Sequence, residues 1–571
     1  MSDDHQIVAA VGLLGLDLLD HRLFDIEQPG PYPRVPHAVP GSSVSYLQQS
    51  KRTPGAACSA HTPRSATHGS DRRAEFVGIR TTLAIAVCAA TALSGGTAVA
   101  APGGTSAGAA GGTAATTVRE DFNGDGYQDL AVAAPAATVA GHSSAGYVAV
   151  SYGSAKGLSA AKTTVIDQNT PGVPGAPGKN HGFGYRLAAE DLDHDGLTDL
   201  ALVTHERFVG EGYAINGSVI LLWGSTGGIT GKGAVRIPVE PDYQIGDNLT
   251  AGDFDGDGAT DLMMLNGDSG RQRDVLHGPF TRKGVPARER GIFMTDTDND
   301  MSNTAAGDFN GDGIDDLCTF FTYQNHAEGG KLWLGTPKGL SAKSIPLPSA
   351  AATAVGDFDK DGKDDLATRV VPNGNTENLP TDSGTIKVYY GSASGLSTTR
   401  TKTITQNTAG VPGVSEKGDQ FGARLSAGDV NGDGYADLAA GVPFEAIKTT
   451  KAAGAVVLLK GGAGGLSGTG SKSFHQASTG VPGVAEAGDH FGGSVRLLDT
   501  NKDGRADLIA GAPDEELEAV ADGGAVWWLR GVSSGLTATG SVAFNPVDLG
   551  APVRKARFGL NLSNDNGPSI G

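Results

Sequence analysis

The sequence predicts an all-β protein, a seven-bladed β-propeller with four antiparallel strands per blade. Three observations predict it. An acidic turn, D-x-[DN]-x-D-G-x-x-D-L, recurs seven times, opening at Asp121, Asp191, Asp253, Asp308, Asp357, Asp429 and Asp499. Short apolar runs sit at matching places around each copy, and none of them carries a convincing helical period. The copies are 70, 62, 55, 49, 72 and 70 residues apart, the spacing of stacked or circular repeats. A solenoid would leave its end repeats exposed, whereas a closed ring does not.

Four strands per repeat follow from these runs. One precedes the turn, as in Tyr185-Arg186-Leu187-Ala188-Ala189, and one follows it, as in Leu130-Ala131-Val132-Ala133. A third opens on glycine: GYVAVSYGS from Gly146, GSVILLWGS from Gly217, GTIKVYYGS from Gly384, GAVVLLKGG from Gly454 and GAVWWLRGV from Gly524. A weaker fourth is typified by Lys162-Thr163-Thr164-Val165-Ile166. The runs are β-branched or aromatic and are bounded by Gly, Pro, Asn and Asp, which is the composition of strands between turns. The first repeat lacks a Phe-Gly strand ahead of Asp121. The C-terminal Phe558-Gly559-Leu560-Asn561-Leu562 offers one, so the end of the chain is expected to complete the first blade.

The turn has the chemistry of a cation loop. A hard ion such as calcium takes six to eight oxygens at about 2.3–2.6 Å. The first copy offers the side chains of Asp121, Asn123, Asp125 and Asp129 and the carbonyl of Tyr127. The second offers Asp191, Asp193, Asp195, Asp199 and Leu197, and the third Asp253, Asp255, Asp257, Asp261 and Ala259. The fourth has Asp308, Asn310, Asp312, Asp316 and Ile314; the fifth has Asp357, Asp359, Asp361, Asp365 and Lys363. The sixth has Asp429, Asn431, Asp433, Asp437 and Tyr435; the seventh has Asp499, Asn501, Asp503, Asp507 and Arg505. The glycine at the sixth position lets the backbone turn through positive φ.

The order resembles an EF-hand, but that loop needs a bidentate Glu at its twelfth position between two helices. Here the twelfth residue is Val132, Leu202, Met264, Thr319, Thr368, Ala440 or Ala510, each in a strand-like run. The ninth position is Asp in every copy, so the expectation is a β-hairpin calcium loop and up to seven Ca²⁺. Asx turns alone explain Asp, Asn and Gly in one turn. They do not explain acids at positions 1, 5 and 9 seven times, because crowded carboxylates repel unless a cation lies between them. The additional acids Asp315 and Asp364 are expected to point to solvent.

Charge agrees with this reading. The chain has 44 Lys+Arg against 63 Asp+Glu, a net −19, and residues 1–100 are balanced. Seven divalent ions would reduce the net charge to about −5, an ordinary surface value. The acidic balance argues against nucleic acid. Cys58, Cys88 and Cys318 have no evident mates, so no disulfide framework is implied.

Residues 1–76 show no period related to the rest and are expected to be a disordered or mis-assigned leader. Within 77–100, Arg80-Thr81-Thr82 precedes the apolar LAIAVCAATALSGG and the A-x-A site Thr97-Ala98-Val99-Ala100, which is the pattern of a signal peptide cut after Ala100. The run is too short for a membrane span. Residues 101–116 read as an Ala/Gly/Thr linker and 117–571 as the propeller. A secreted monomer is expected.

A second loop recurs in only part of the ring. GVPG at Gly172, Gly410 and Gly480 follows Gln168, Gln406 and Gln476 and leads to Phe-Gly at Phe183, Phe421 and Phe491. Two residues before each Phe stands His181, Asp419 or Asp489. The loops enter blades 2, 6 and 7, and are either rigid crossings or one rim of a ligand surface. Catalytic motifs are weak by comparison. Gly531-Val532-Ser533-Ser534-Gly535 matches G-x-S-x-G but aligns with the turn after the third strand of other repeats, not with a strand–turn–helix elbow. Gly267-Asp268-Ser269-Gly270 has no arguable His and Asp partners. The histidines show no zinc spacing, and Trp223, Trp333, Trp527 and Trp528 fall on third strands, where blade packing suits them.

Phe-Gly stands eight residues before the acidic loop at Phe183, Phe421 and Phe491, and Gly-Ala-Pro or a near variant follows at Ala133–Pro135, Gly441–Pro443 and Gly511–Pro513. With the loops, this pattern resembles the FG-GAP repeat family, the propeller of integrin α-chain N-termini and of many secreted bacterial proteins. The resemblance covers roughly residues 117–571 and implies a calcium-bearing propeller that binds a glycan or protein ligand, as in adhesion. The family also includes lectins, polysaccharide lyases and a phospholipase, so a secreted polysaccharide lyase or hydrolase on the same scaffold is the alternative. The chain departs from integrins in bearing an acidic loop in every repeat and no inserted adhesion domain, leg domains or transmembrane helix.

Overall fold

A computed structural model describes residues 119–209, 214–238, 245–266, 272–293, 300–517 and 520–565. The leader at 1–76, the export signal at 77–100, the linker at 101–116 and Gly267–Gly270 lie outside the described residues. Seven four-stranded antiparallel sheets make up the fold. From the inner strand outwards, blade 1 is Asn561–Leu562, Leu130–Ala134, Tyr147–Ser151 and Thr163–Ile166. Blade 2 is Leu187–Glu190, Asp199–Val209, Ala214–Leu222 and Val235–Arg236, and blade 3 is Ile245–Gly252, Asp261–Asn266, Gln272–His277 and Arg288–Phe293. Blade 4 is Asp300–Gly307, Asp316–Tyr323, His326–Trp333 and Ile345–Leu347, and blade 5 is Ala350–Gly356, Asp365–Val370, Ile386–Tyr389 and Thr401–Ile404. Blade 6 is Arg424–Gly428, Asp437–Val442, Ala455–Lys460 and Ser467–Phe474, and blade 7 is Ser494–Leu498, Asp507–Ala512, Ala525–Val532 and Gly535–Phe544. Inner strands of neighbouring blades lie side by side around the ring.

The core is divided among the seven junctions between blades. At the first junction Ala131, Ala133, Val148 and Val150 of blade 1 pack on Leu187, Leu200 and Leu202 of blade 2. The intervening residues Leu130, Val132, Tyr147 and Ala149 face Ile509, Val526 and Trp528 of blade 7. Successive side chains of a strand point to opposite faces, and here both faces are buried. This is why the strands read as continuous apolar runs rather than as alternating ones. The second residue of each acidic loop plugs a junction: Phe122, Leu192, Phe254, Phe309, Phe358 and Val430 are all fully buried. In blade 7 the place is held by Thr500, whose hydroxyl accepts from Trp528 Nε1 at 2.8 Å and donates to Asp507 at 2.6 Å. All four tryptophans are buried and their indole N–H groups are satisfied within the protein.

The ring closes through the C-terminus. Asn561 and Leu562 pair with Ala133 and Val132, making the inner strand of blade 1. The Phe-Gly motifs show why this segment is suited to that place. Phe183, Phe421 and Phe491 are fully buried and donate their N–H to Ala145, Ser383 and Ala453 of the preceding blade at 2.9–3.0 Å. Phe558 does the same to Gly523 of blade 7 at 3.0 Å. The next residue of each acceptor blade is Gly146, Gly384, Gly454 or Gly524, where a Cβ would lie 2.2–2.6 Å from the Phe backbone. The third strand begins with glycine because the neighbouring blade docks there.

Candidate functional site

Each acidic loop joins the first and second strands of a blade, and all seven share one hydrogen-bond scheme. The carboxylate at position 1 accepts the N–H of the position-6 glycine at 2.7–2.9 Å in every copy. That glycine has φ between +78° and +89°, which favours Gly. In the first loop Asp121 also accepts from Gly124 and Asp125, Asn123 Oδ1 from Asp125, and Asp125 Oδ1 from the N–H of Tyr127. Position 5 takes the position-7 N–H in loops 2 to 6 as well, at Leu197, Ala259, Ile314, Lys363 and Tyr435.

Position 9 is a latch. Asp129, Asp199, Asp261, Asp316, Asp365, Asp437 and Asp507 are fully buried. Their Oδ1 atoms accept the N–H of Gly153, Gly224, Gly278, Gly335, Gly391, Gly461 and Gly531, at or just after the end of the third strand, at 2.7–2.9 Å. A Cβ on any of those glycines would lie 2.2–2.6 Å from a position-8 carbonyl. Gly391→Ala is therefore expected to destabilise the fold by about 1–3 kcal/mol through overpacking, read as a lower midpoint in urea. An unchanged midpoint would refute the latch.

The loops bring carboxylates together. Ligand atoms of Asp191, Asp193 and Asp199, of Asp253, Asp255 and Asp257, and of Asp357, Asp359 and Asp365 lie within 4.8 Å of one another. That is the separation expected of oxygens on one calcium ion with bonds of about 2.3–2.6 Å. These are the loops with four Asp side chains. Burial pushes the carboxyl of Asp129 up to about 8, those of Asp199, Asp316 and Asp365 to about 7, and that of Asp507 to about 6. A neighbouring cation opposes such a rise.

Basic side chains that the sequence reading missed also reach the loops. Arg282 meets Asp193 and lies 2.6 Å from Asp195; Arg288 meets Asp255, Arg400 meets Asp359, and Arg530 is 2.6 Å from Asp503. Lys460 is 2.8 Å from Asp437. Buried His277 lies 2.9 Å from Asp261 and 3.2 Å from Asp255, so this histidine joins a loop although it belongs to no metal-ligand spacing in the sequence. Part of the carboxylate repulsion in loops 2, 3, 5, 6 and 7 is thus relieved from within the chain. No spacing rule could have found these partners, since each lies on another strand or turn.

The eighth position corrects the expectation for Asp315 and Asp364. They turn inwards rather than to solvent, because position 9 faces its own blade and the residue before it points the opposite way. Asp315 accepts the N–H of Asp253 at 2.9 Å and Asp364 that of Asp308 at 3.0 Å, each in the preceding blade. Thr198 and Gln128 do the same to Asp121 and Asp499. Both acids border a central cavity of about 350 Å³ together with Arg119, Glu120, Glu190 and Arg496. Burial raises Glu190 to about 7 against the opposing pull of Arg119, and raises Asp364 to about 6. Glu120 is paired with Arg496 and accepts from Ser563 and Asn564 at 2.7 and 3.2 Å, so it serves ring closure. The residue before each loop is Glu in blades 1 and 2, Gly in blades 3 to 6 and Leu498 in blade 7, which makes the cavity unequal around the axis.

The G-x-S-x-G run 531–535 spans the turn between two strands of blade 7 and is no nucleophile elbow. Cys318 is a free, buried thiol. Among the described residues no helix is long and apolar enough to cross a membrane.

Comparison with known proteins agrees with the repeats. The FG-GAP repeat model matches residues 111–151, 421–459 and 491–528. The phosphatidylinositol-glycan-specific phospholipase D of Mus musculus is 31% identical over 230 residues, 38% of this chain and 25% of the mouse protein. Integrin alpha-4 of Xenopus laevis is 31% identical over 154 residues, 27% of this chain and 13% of the frog protein. The chain thus spans a quarter or less of the length of these two relatives. Among solved structures, the exotype rhamnogalacturonan lyase YesX is similar at 12% identity and a TM-score of 0.27, covering 62% of this chain and 66% of the lyase. Among the described residues the matches fall in blades 1, 6 and 7, the blades with the fullest Phe-Gly and Gly-Ala-Pro signatures, and the chain thus carries three FG-GAP repeats.

Proposed function

We propose that this protein is a secreted, calcium-holding β-propeller that binds a glycan or protein ligand, as in adhesion. The observation that supports calcium most directly is the convergence of three carboxylates within 4.8 Å in loops 2, 3 and 5. An all-oxygen set of that size suits a hard cation. Asp121, Asn123, Asp125 and Asp129, and their counterparts in the other loops, are the proposed ligands, with the position-7 carbonyls completing each set. The export pattern ending at Ala100 supports a compartment where calcium is millimolar. Seven near-identical loops build the scaffold, so selectivity belongs where the blades differ. The central cavity is such a place: its acids and arginines suit a polar ligand bearing hydroxyl and charged groups.

That same cavity favours the second reading, a polysaccharide lyase or hydrolase, because acids and arginines converge there. The two readings separate experimentally. The full chain in calcium buffer is expected to be retained on particular glycans of an array without releasing unsaturated or reducing products from a polysaccharide panel. Turnover would favour the enzyme. Glu190→Gln and Arg119→Ala are each expected to weaken retention about tenfold, since a hydrogen bond to a charged group contributes roughly 1.5–3 kcal/mol. Retention indifferent to both would remove the cavity from consideration.

A further inference from the structure

The connections entering blades 2, 6 and 7 carry a relay of buried and half-buried polar side chains. In blade 2, Gln168 Nε2 donates to Glu206 Oε2 at 2.8 Å, and Gln168 Oε1 lies 3.0 Å from His181 Nδ1. Arg236 lies 2.5 Å from Glu206. A ring N–H satisfies one end of the amide and a guanidinium neutralises the acid at the other.

Blades 6 and 7 keep the amide and the acid and lose both cationic groups. Gln406 Nε2 donates to Glu445 at 2.8 Å, and Gln476 Nε2 to Glu515 at 2.7 Å. The place of His181 is taken by Asp419 and Asp489, whose Oδ2 atoms accept the N–H of Glu416 and Glu486 at 2.6 Å. Arg236 stands opposite Ile220, and the matching cross-strand partners of Val457 and Trp527 are Ser473 and Ala543. Gln406 and Gln476 are only 3% and 2% exposed, and the Oε1 of each has no hydrogen-bond partner. Asp419 and Asp489 are as deeply placed, at 4% and 2% exposure. Exchanging the amide oxygen and nitrogen does not help, because it moves the unmatched acceptor from the Asp to the Glu. Glu416 and Glu486 add negative charge to the same neighbourhoods. A positive partner placed among two acids and a buried, unmatched carbonyl would offset the repulsion and satisfy all three oxygens at once, where a proton would satisfy only one acid.

We infer that blades 6 and 7 each hold a further hard metal cation outside the acidic loops. Asp419, Gln406 Oε1 and Glu445 bind it in blade 6, and Asp489, Gln476 Oε1 and Glu515 in blade 7. The oxygen-only donors suit calcium. In blade 2, His181 and Arg236 stand in the ion's place.

The test counts calcium bound to the full chain at saturating millimolar calcium, by elemental analysis after dialysis. Two variants give a blade the blade 2 arrangement: Asp419→His with Ser473→Arg, and Asp489→His with Ala543→Arg. Each is expected to lose one calcium per chain, and their combination two, with the circular dichroism spectrum retained. Because the readout is a difference, it holds even if the acidic loops bind nothing, in which case the unaltered chain would carry two. Unchanged counts in the folded variants overturn the inference. Should the histidine variants fail to fold, Glu445→Gln and Glu515→Gln keep the shape of the relay. Each is expected to weaken one calcium equivalent at least tenfold in a titration, and titrations identical to the unaltered chain overturn the inference equally.

Discussion

Stripping calcium from the full chain is expected to lower its melting temperature by several degrees or more. With dissociation constants of about 10⁻⁴–10⁻³ M, as in extracellular modules, millimolar calcium contributes roughly 0.4–1.4 kcal/mol per loop. Seven independent loops give roughly 3–10 kcal/mol, comparable with the entire stability of a domain. The gain is expected to be uneven. In loops 2, 3, 5 and 7 a guanidinium already meets a position-3 or position-5 carboxylate, and an arriving ion must displace or share it. The measurement is calorimetry with and without chelator, after elemental analysis has shown the metal removed. Equal melting temperatures would refute calcium as a structural element of the ring.

Deleting residues 556–571 is expected to be more damaging than any point substitution. The segment supplies the inner strand of blade 1 and buries Ala556, Phe558 and Leu562 completely between blades 7 and 1. Losing the Phe558 side chain alone should destabilise by about 3–5 kcal/mol. The deletion also removes the Asn561–Leu562 pairing and the Ser563 and Asn564 bonds to Glu120, leaving that carboxylate with its Arg496 pairing but without those two donors. The expected result is a chain without a cooperative thermal transition, and Phe558→Ala should give a folded protein of clearly lower melting temperature. A truncated chain that melts like the full one would rule out closure by this strand.

The blades and loops were legible because they repeat: periodicity located the acidic loops, the glycine-led third strands and the closing Phe558-Gly559. What escaped has partners far along the chain. The loop pattern marks Asp129 only as a ligand, yet its bond to Gly153 spans 24 residues and holds the hairpin together. The sequence alone sends Asp364 to solvent, yet it meets Asp308 of another blade, 56 residues away. The arginines at the loops belong to no motif, and only the fold places Arg282 on Asp195, 87 residues before it. Gln476 recurs in the sequence with Gln168 and Gln406, but its unmatched oxygen depends on how the blade 7 hairpin presents Glu515.

Closure through the last strand has a kinetic consequence. The bond between Ser563 and Glu120 joins residues 443 apart in sequence. Contacts of such separation are slow to form, because the intervening chain must be ordered before they are made. During synthesis, the edge of Leu130–Ala134 waits unpaired while six further blades are produced. A waiting strand edge of that kind is prone to capture by another chain. Refolding from denaturant should accordingly show a yield that falls with protein concentration, and a synthetic peptide of residues 556–571 present at the start should protect the edge and raise the yield of a chain lacking them.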